Sequence, residues 1–282
     1  MNIRTDLATE FAADKKSSES GVSVKKQKSG KVQISTVCIT TDEAAKTVGK
    51  EKGKYVTLET EKGTDIFETE NLRELLTLEL KAMIGEKHGC VMVVGIGNKT
   101  VTPDALGPKA AESVLATRHI SGLLAEKIGL KGLRPVSVLS PGVLGQTGIE
   151  VKEMLEGAIK LTEPDAVILI DALAAREVSR LGSTVQISNV GISPGSGVGN
   201  SRSEISKRTV GVDCFTIGVP TVVDAYTLCS DLTGKGSPEH EPMIVTPRDI
   251  DRLIDRSSKI IADALNIVLQ PSIDSDIILS VV

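Results

Sequence analysis

Tryptophan is missing from this 282-residue chain, and tyrosine and phenylalanine occur only two and three times. With 40% of its residues hydrophobic, the core must therefore be aliphatic, and it is large enough for one big domain or two modest ones. Nor is there an excess of positive charge. The formal net charge is −4, so no basic surface announces direct nucleic-acid or membrane binding. The short basic cluster Lys25-Lys26-Gln27-Lys28 is mixed with Ser and Gly and reads as a solvated loop. No stretch reaches the roughly eighteen consecutive apolar residues of a membrane span. The segment Met1–Leu7 lacks the apolar run of a signal peptide. Cys38, Cys90, Cys214 and Cys229 form no CxxC pair, which favours reduced thiols and a cytoplasmic location.

Several familiar signatures fail. His88, His119 and His240 share no metal-ligand spacing. Gly95-Ile96-Gly97 opens like a dinucleotide fingerprint, but Thr100 stands where the third glycine belongs. The glycine-dense Gly191–Asn200 lacks the Gly-Lys-Ser/Thr ending of a phosphate-binding loop. It reads either as a flexible linker or as a loop whose backbone closely approaches a ligand such as an extended peptide. Gly191-Ile192-Ser193-Pro194-Gly195 matches a serine nucleophile elbow by letter, yet Pro194 has no N–H to offer an oxyanion.

What is present is a regular succession of strand and helix patterns. Residues 1–30 form a polar N-terminal segment, partly disordered by composition, and 31–70 a small β-rich region with strands near 31–39 and 53–59. From 71 to 282 the pattern is that of an α/β core, with helices expected at 70–84, 107–118, 149–161 and 247–267. Its strands are expected at 91–96, 136–139, 166–170, 184–188 and 215–220. Such alternation implies a doubly wound, mostly parallel sheet with helices on both faces.

Two carboxylates stand beyond the apolar runs Val91–Ile96 and Ala166–Ile170, namely Asp104 and Asp171. Ligands of open α/β sheets collect at the carboxyl ends of strands, so the pair is a candidate for acid/base chemistry. Each acid alone reads first as a helix cap. Together, like charges would push one pKa up and leave one acid and one base. Asp224, after another strand pattern, is a third candidate for the same edge.

These segments jointly resemble the germination protease family of spore-forming bacteria. The resembling stretches include Arg4–Ala8, Lys54–Glu59, Val101–Pro108, Pro141–Val143, Ile170–Arg176, Gly195–Asn200, Pro220–Ala225 and Val245–Pro247. The resemblance implies an endopeptidase that degrades small acid-soluble spore proteins, with a fold similar to that of the hydrogenase maturation proteases. It implies Asp104 and Asp171 as catalytic residues; Gly97, Asn98, Gly195, Gly197 and Asp224 are candidate substrate contacts on the same edge and its loops. It further implies a homotetrameric zymogen of the spore cytoplasm that removes its own N-terminus as the spore acidifies. Family substrates are cut after Glu, before a large apolar residue followed by Ala. Asp6–Leu7, within Arg4–Ala8, is the favoured processing bond, while Glu10–Phe11 resembles the substrate pattern more closely. Many relatives carry a long charged insertion after the Pro220–Ala225 segment. Its shortening here, near 230–242, bears on oligomer contacts. No cofactor or metal ligand set is expected. A divalent metal held by the same carboxylates and a non-catalytic spore-protein-binding role are the alternatives.

Overall fold

The computed structural model describes residues 5–10, 21–61, 64–85, 89–120, 132–198, 202–233 and 243–281. Along the chain run β1 (Val22–Ser29), β2 (Val32–Ile39), α1 (Asp42–Val48), β3 (Gly53–Glu59) and α2 (Leu72–Ile84). They are followed by β4 (Val91–Ile96), α3 (Leu106–Glu112), β5 (Val136–Gly142), α4 (Leu144–Thr147), α5 (Val151–Thr162), β6 (Ala166–Ala175) and β7 (Thr184–Ser188). The last elements are α6 (Lys207–Val210), β8 (Asp213–Asp224), α7 (Ala225–Thr233), β9 (Ile244–Val245), α8 (Ile250–Leu269) and α9 (Ser275–Val281).

All described strands belong to one sheet, in the order β1-β2-β3-β7-β8-β6-β4-β5, with β9 added beside β8. The pairs β5–β4, β4–β6 and β6–β8 are parallel. They form the doubly wound half that the apolar runs imply. The N-terminal strands do not form a separate sheet; β1, β2 and β3 continue the same one antiparallel through β7.

Side-chain alternation divides the sheet into two faces. Val91, Val93, Ile168 and Ile170 pack with Leu72, Leu76 and Leu80 of α2, Leu106 and Ala110 of α3, and Ile254, Ile261 and Leu265 of α8. Met92, Val94, Val167 and Leu169 face the other way, onto Val151 and Leu155 of α5. The spacing of four between Leu72, Leu76, Leu80 and Ile84 gives α2 one continuous buried stripe. Farther along, α1 covers Val37, Ile39 and Tyr55; its first turn is capped by Thr41 Oγ1, which accepts the Ala44 N–H at 3.1 Å.

Three departures from the sequence expectation have physical causes. Residues 22–29, read as part of a polar segment, form β1: paired to β2 along its whole length, it exposes six consecutive side chains and so carries no apolar period. The helix expected over 107–118 stops at Glu112. Asn266 of α8 takes over the backbone beyond it, accepting the Leu115 N–H and donating to the Ser113 carbonyl, each at 2.9 Å. Finally, β6 does not end at Ile170. It runs on to Ala175 because β8 continues to pair with it after β4 has stopped at Ile170.

The chain reverses direction across the sheet at β4. It passes from β4 to β5 on one side and returns to β6 on the other, so the β4–β6 carboxyl edge is the topological switch point. Two glycines set the geometry of that edge. A Cβ on Gly95 would lie 2.1 Å from the Gly107 carbonyl oxygen, and one on Gly107 would lie 2.2 Å from that of Ile96 and 2.4 Å from that of Ile170. Backbone on both sides leaves no room to yield. Gly107→Ala is therefore expected to cost about 1–3 kcal/mol through overpacking. Urea denaturation of the variant would measure it, and an unchanged midpoint would contradict the close-packing account.

Candidate active site

Asp104 is delivered by the loop that follows β4. After Gly97 the chain turns through a single 3₁₀ turn, Thr102–Asp104, before α3 begins. Gly97 adopts φ 130°, and a Cβ there would meet the Asp104 carbonyl oxygen at 2.0 Å. Only glycine tolerates both the conformation and the approach. The adjacent Asn98 N–H donates to Asp104 Oδ2 at 2.7 Å. The Asn98 side chain braces the loop, its Oδ1 accepting from Thr100 and, at 2.7 Å, from Gln146 Nε2.

Asp171 comes from β6 itself. It is the first residue after the last β4–β6 pair, Gly95–Ile170, so its carboxylate emerges where the neighbouring strand has ended. The residue is only 5% exposed. Its Oδ1 accepts the Ala172 N–H at 2.9 Å. Asp104, Asp171, Gly97 and Gly195 line one cleft of about 400 Å³.

Both carboxyls are held above the ordinary range. For Asp171 the main cause is burial, followed by the charge of Asp104 and then that of Asp6, with the Ala172 N–H opposing them; the rise is large. For Asp104 the cause is burial, opposed by the Asn98 N–H. The rise is the larger for Asp171, which of the two is the readier to hold a proton.

A third acid shares the cleft. Asp6 lies against the extension of β6, its N–H donating to the Ala174 carbonyl at 2.8 Å and its Oδ2 accepting the Ala174 N–H at 2.9 Å. Ser196 donates to Asp6 Oδ1 at 2.8 Å. Gln186 of β7 straddles the Asp6–Leu7 bond, donating to the Asp6 carbonyl at 3.2 Å and accepting the Ala8 N–H at 2.8 Å. Leu7 is fully buried with Leu173, Ala175 and Val223. Glu10 sits apart, its carboxylate taken by the N–H groups of Arg176 and Glu177 at 2.9 and 3.1 Å, with the Arg180 guanidinium 3.8 Å away. Phe11, Asn200, His88 and His240 lie outside the described residues.

The other candidates divide. Gly197 faces Asp6, where a Cβ would come within 2.2 Å of Oδ2. Asp224 is not brought to the cleft. At the junction of β8 and α7 its Oδ1 accepts both the Thr227 N–H at 2.9 Å and the Thr227 hydroxyl at 3.0 Å, as a helix cap does. Residues not foreseen from the sequence are Gln186, Ser196 and Thr221. A glutamine inside the fully buried strand Thr184–Ser188 was a usable signal, because a buried amide must find partners. The buried Thr221 hydroxyl lines the cleft and has no partner among the described residues. Among those residues, no group of three His, Cys, Asp or Glu side chains is placed to hold a metal ion, and no helix is long and apolar enough to cross a membrane.

Known proteins resemble this chain along most of its length. The family model described as germination protease matches residues 2–234. The chain belongs to the germination protease family. The germination protease of Clostridium acetobutylicum is 36% identical over 318 residues, covering 97% of both chains. That of Priestia megaterium is 45% identical over 245 residues, covering 82% of this chain and 66% of its own. Membership makes the chain a peptidase of spore germination. Among solved structures, the [NiFe] hydrogenase maturation protease HycI from Thermococcus kodakarensis is 20% identical, with a TM-score of 0.35, over 68% of this chain and 98% of its own. At that score the likeness adds nothing to what the sheet order already shows.

The raised Asp171 carboxyl has a consequence for stability. Its folded pKa lies above the unfolded 3.8, so the folded state holds its proton more tightly. Stability from this group is complete below 3.8 and is lost as pH rises towards the folded value. Asp171→Asn removes the titration, and is expected to raise Tm by on the order of a few degrees at neutral pH. The gain should vanish near pH 3.8. Thermal denaturation across a pH series measures this, and a variant less stable than wild type at pH 7 would contradict it.

Proposed function

We propose that this peptidase is an endopeptidase that begins the breakdown of small acid-soluble spore proteins during germination, made as a zymogen that first cuts its own Asp6–Leu7 bond with Asp104 and Asp171. The observation that carries the proposal is the position of Asp6. The residue preceding that bond lies in the same cleft as the two aspartates, and its charge is one of those that raise Asp171. Glu10, which precedes the rival bond, is held elsewhere by the backbone of Arg176 and Glu177. That difference favours Asp6–Leu7.

Ionised Asp104 takes a proton from water as the water oxygen adds to the carbonyl carbon of Asp6. Protonated Asp171 donates to the carbonyl oxygen, whose growing charge it stabilises. Collapse breaks the C–N bond, and the proton held by Asp104 passes to the Leu7 nitrogen. The products are a carboxylate on residue 6 and a free amine on residue 7. Gln186 holds the chain on both sides of the bond, which supplies the positioning that such chemistry needs. The tetramer and the spore cytoplasm complete the proposal, as the family resemblance implies.

Asp104→Asn and Asp171→Asn should each lower self-processing and substrate cleavage by about 10³-fold or more while leaving the chain folded. N-terminal sequencing of both variants and wild type after incubation would decide, and a new N-terminus at wild-type rate in either variant would refute the assignment. The same experiment across pH tests the protonation states. Because Asp171 must be protonated and Asp104 ionised, the wild-type rate should climb as pH falls towards the raised Asp171 pKa, then drop once Asp104 is protonated. A rate that only increases with pH would exclude this division of roles. Activity surviving exhaustive chelation would separate it from a metal-assisted variant.

A further inference from the structure

Beside the seat of Asp6 on Ala174, the Asp6–Leu7 peptide unit is gripped at its nitrogen by a neighbouring side chain. Its N–H, which belongs to Leu7, donates to Thr5 Oγ1 at 3.1 Å. The same hydroxyl donates to Glu10 Oε2, and the Ala174 carbonyl, 3.4 Å away, is a second acceptor within its reach. Glu10 is in turn fixed to the chain just beyond β6. Its Oε2 accepts the Arg176 N–H at 2.9 Å and its Oε1 the Glu177 N–H at 3.1 Å, with Arg180 Nε 3.8 Å away. Arg180 also pairs with Glu59 of β3. The Glu10 N–H closes the turn onto the Leu7 carbonyl at 3.3 Å.

Burying a carboxylate costs more than burying an apolar anchor. Thr5 and Glu10 are each only 5% exposed, and an apolar side chain at position 10 would tie the segment down without taking a charge out of water. What Glu10 supplies instead is direction. A hydroxyl has one hydrogen and two lone pairs; the carboxylate oxygen holds that hydrogen, and a lone pair is left turned to Leu7. An acceptor at this N–H also does more in the transition state than before it. The nitrogen gains a proton as the C–N bond breaks, its N–H becomes a stronger donor, and a hydroxyl backed by a carboxylate is already in place to receive it. A fixed N–H further sets which face of the peptide unit is turned to the incoming water.

We propose that Thr5 and Glu10 are positioning residues for self-processing. Glu10, bound to the main chain beyond β6, orients the Thr5 hydroxyl, and the hydroxyl orients the nitrogen that leaves when the chain cuts itself. The device serves the first cut alone, because Thr5 departs with the residues that precede Leu7. This rests on Asp6–Leu7 being the bond that is cut.

The test follows the full, uncut chain by N-terminal sequencing over time, for wild type, Thr5→Ser, Thr5→Val, Glu10→Gln and the variant carrying both Thr5→Val and Glu10→Gln. Thr5→Val should lower the first-order rate constant of self-processing by about tenfold, and Thr5→Ser should keep it within about twofold of wild type. Glu10→Gln, whose amide has one acceptor oxygen where the carboxylate has two, should lower it as well. The double variant should fall no further than the slower single variant, because both changes break one chain of contacts. An unfolded fraction reduces the amount processed and not the rate constant, so partial misfolding does not imitate the effect. Once cut, Thr5→Val and wild type are the same polypeptide, and their rates on a peptide substrate should be equal. Unequal rates would mean that Thr5 acts through folding, and would overturn the proposal. A wild-type constant in Thr5→Val, or a Thr5→Ser constant as low as that of Thr5→Val, overturns the role of the hydroxyl. A wild-type constant in Glu10→Gln, or falls that multiply in the double variant, overturns the link to Glu10. If wild type processes at another bond, the proposed function fails instead, and sequencing the product shows which of the two has failed.

Discussion

Everything at this cleft depends on a carboxylate placed where an apolar sheet would ordinarily continue. Asp171 follows four fully buried aliphatic residues, Val167 to Ile170. Its carboxylate accepts a hydrogen bond from the N–H of its neighbour Ala172. Isolated charge in such surroundings is expensive, so the group keeps its proton far above the usual carboxylate range. The switch point makes the position tolerable: β4 stops one residue earlier, opening a cleft where a strand would otherwise cover the side chain. The glycines at 95, 97 and 107 then let the following loop come back close enough for Asp104 to add its charge. Close backbone packing and proton affinity are thus two aspects of one arrangement.

The N-terminal segment exploits that arrangement by adding itself to the sheet edge. Asp6 uses both its N–H and its side chain on Ala174, and Gln186 answers from the neighbouring strand. Burial of Leu7 anchors the segment on the far side of the bond. A segment tethered within the same chain is present at a high effective concentration, so exclusion of competing polypeptides needs no tight intrinsic affinity. Geometry alone would not then keep the bond intact. Under the proposed function, the protonation of the aspartate pair would be the remaining control.

Much of this was visible in the sequence, and what was not has identifiable causes. β4 was legible residue for residue because a strand buried on both faces carries an unbroken apolar run, and β7 because Val185 and Ile187 alternate with polar residues. Asp104 and Asp171 stood out as acids following such runs. β1 was invisible because an edge strand with both faces exposed has no hydrophobic period, and its lysines are what edge strands use to resist further pairing. α3 was overextended because its boundary is set by Asn266, a residue some 150 positions away in sequence. The seat of Asp6 could not be read from spacing at all. It joins the N-terminal segment, the end of β6 and the loop at 196–197, and only the strand order brings these together.

The same charges that describe the uncut chain also describe what cutting it changes. Asp6 is one of two acids whose charge raises the Asp171 pKa, after burial itself. Under the proposed function, departure of the N-terminal residues would remove that charge, and Asp171 would then hold its proton less tightly than before. An acidic side chain of a bound polypeptide close to Asp171 would raise it again. Substrate binding and protonation of Asp171 are then thermodynamically linked: whichever occurs first favours the other by the same free energy. Under the proposed function, recognition of an acidic residue and preparation of the catalytic acid become one event. A substrate carrying an amide or an apolar residue at that position would bind without loading the proton, and selectivity would appear in the chemical step as well as in affinity.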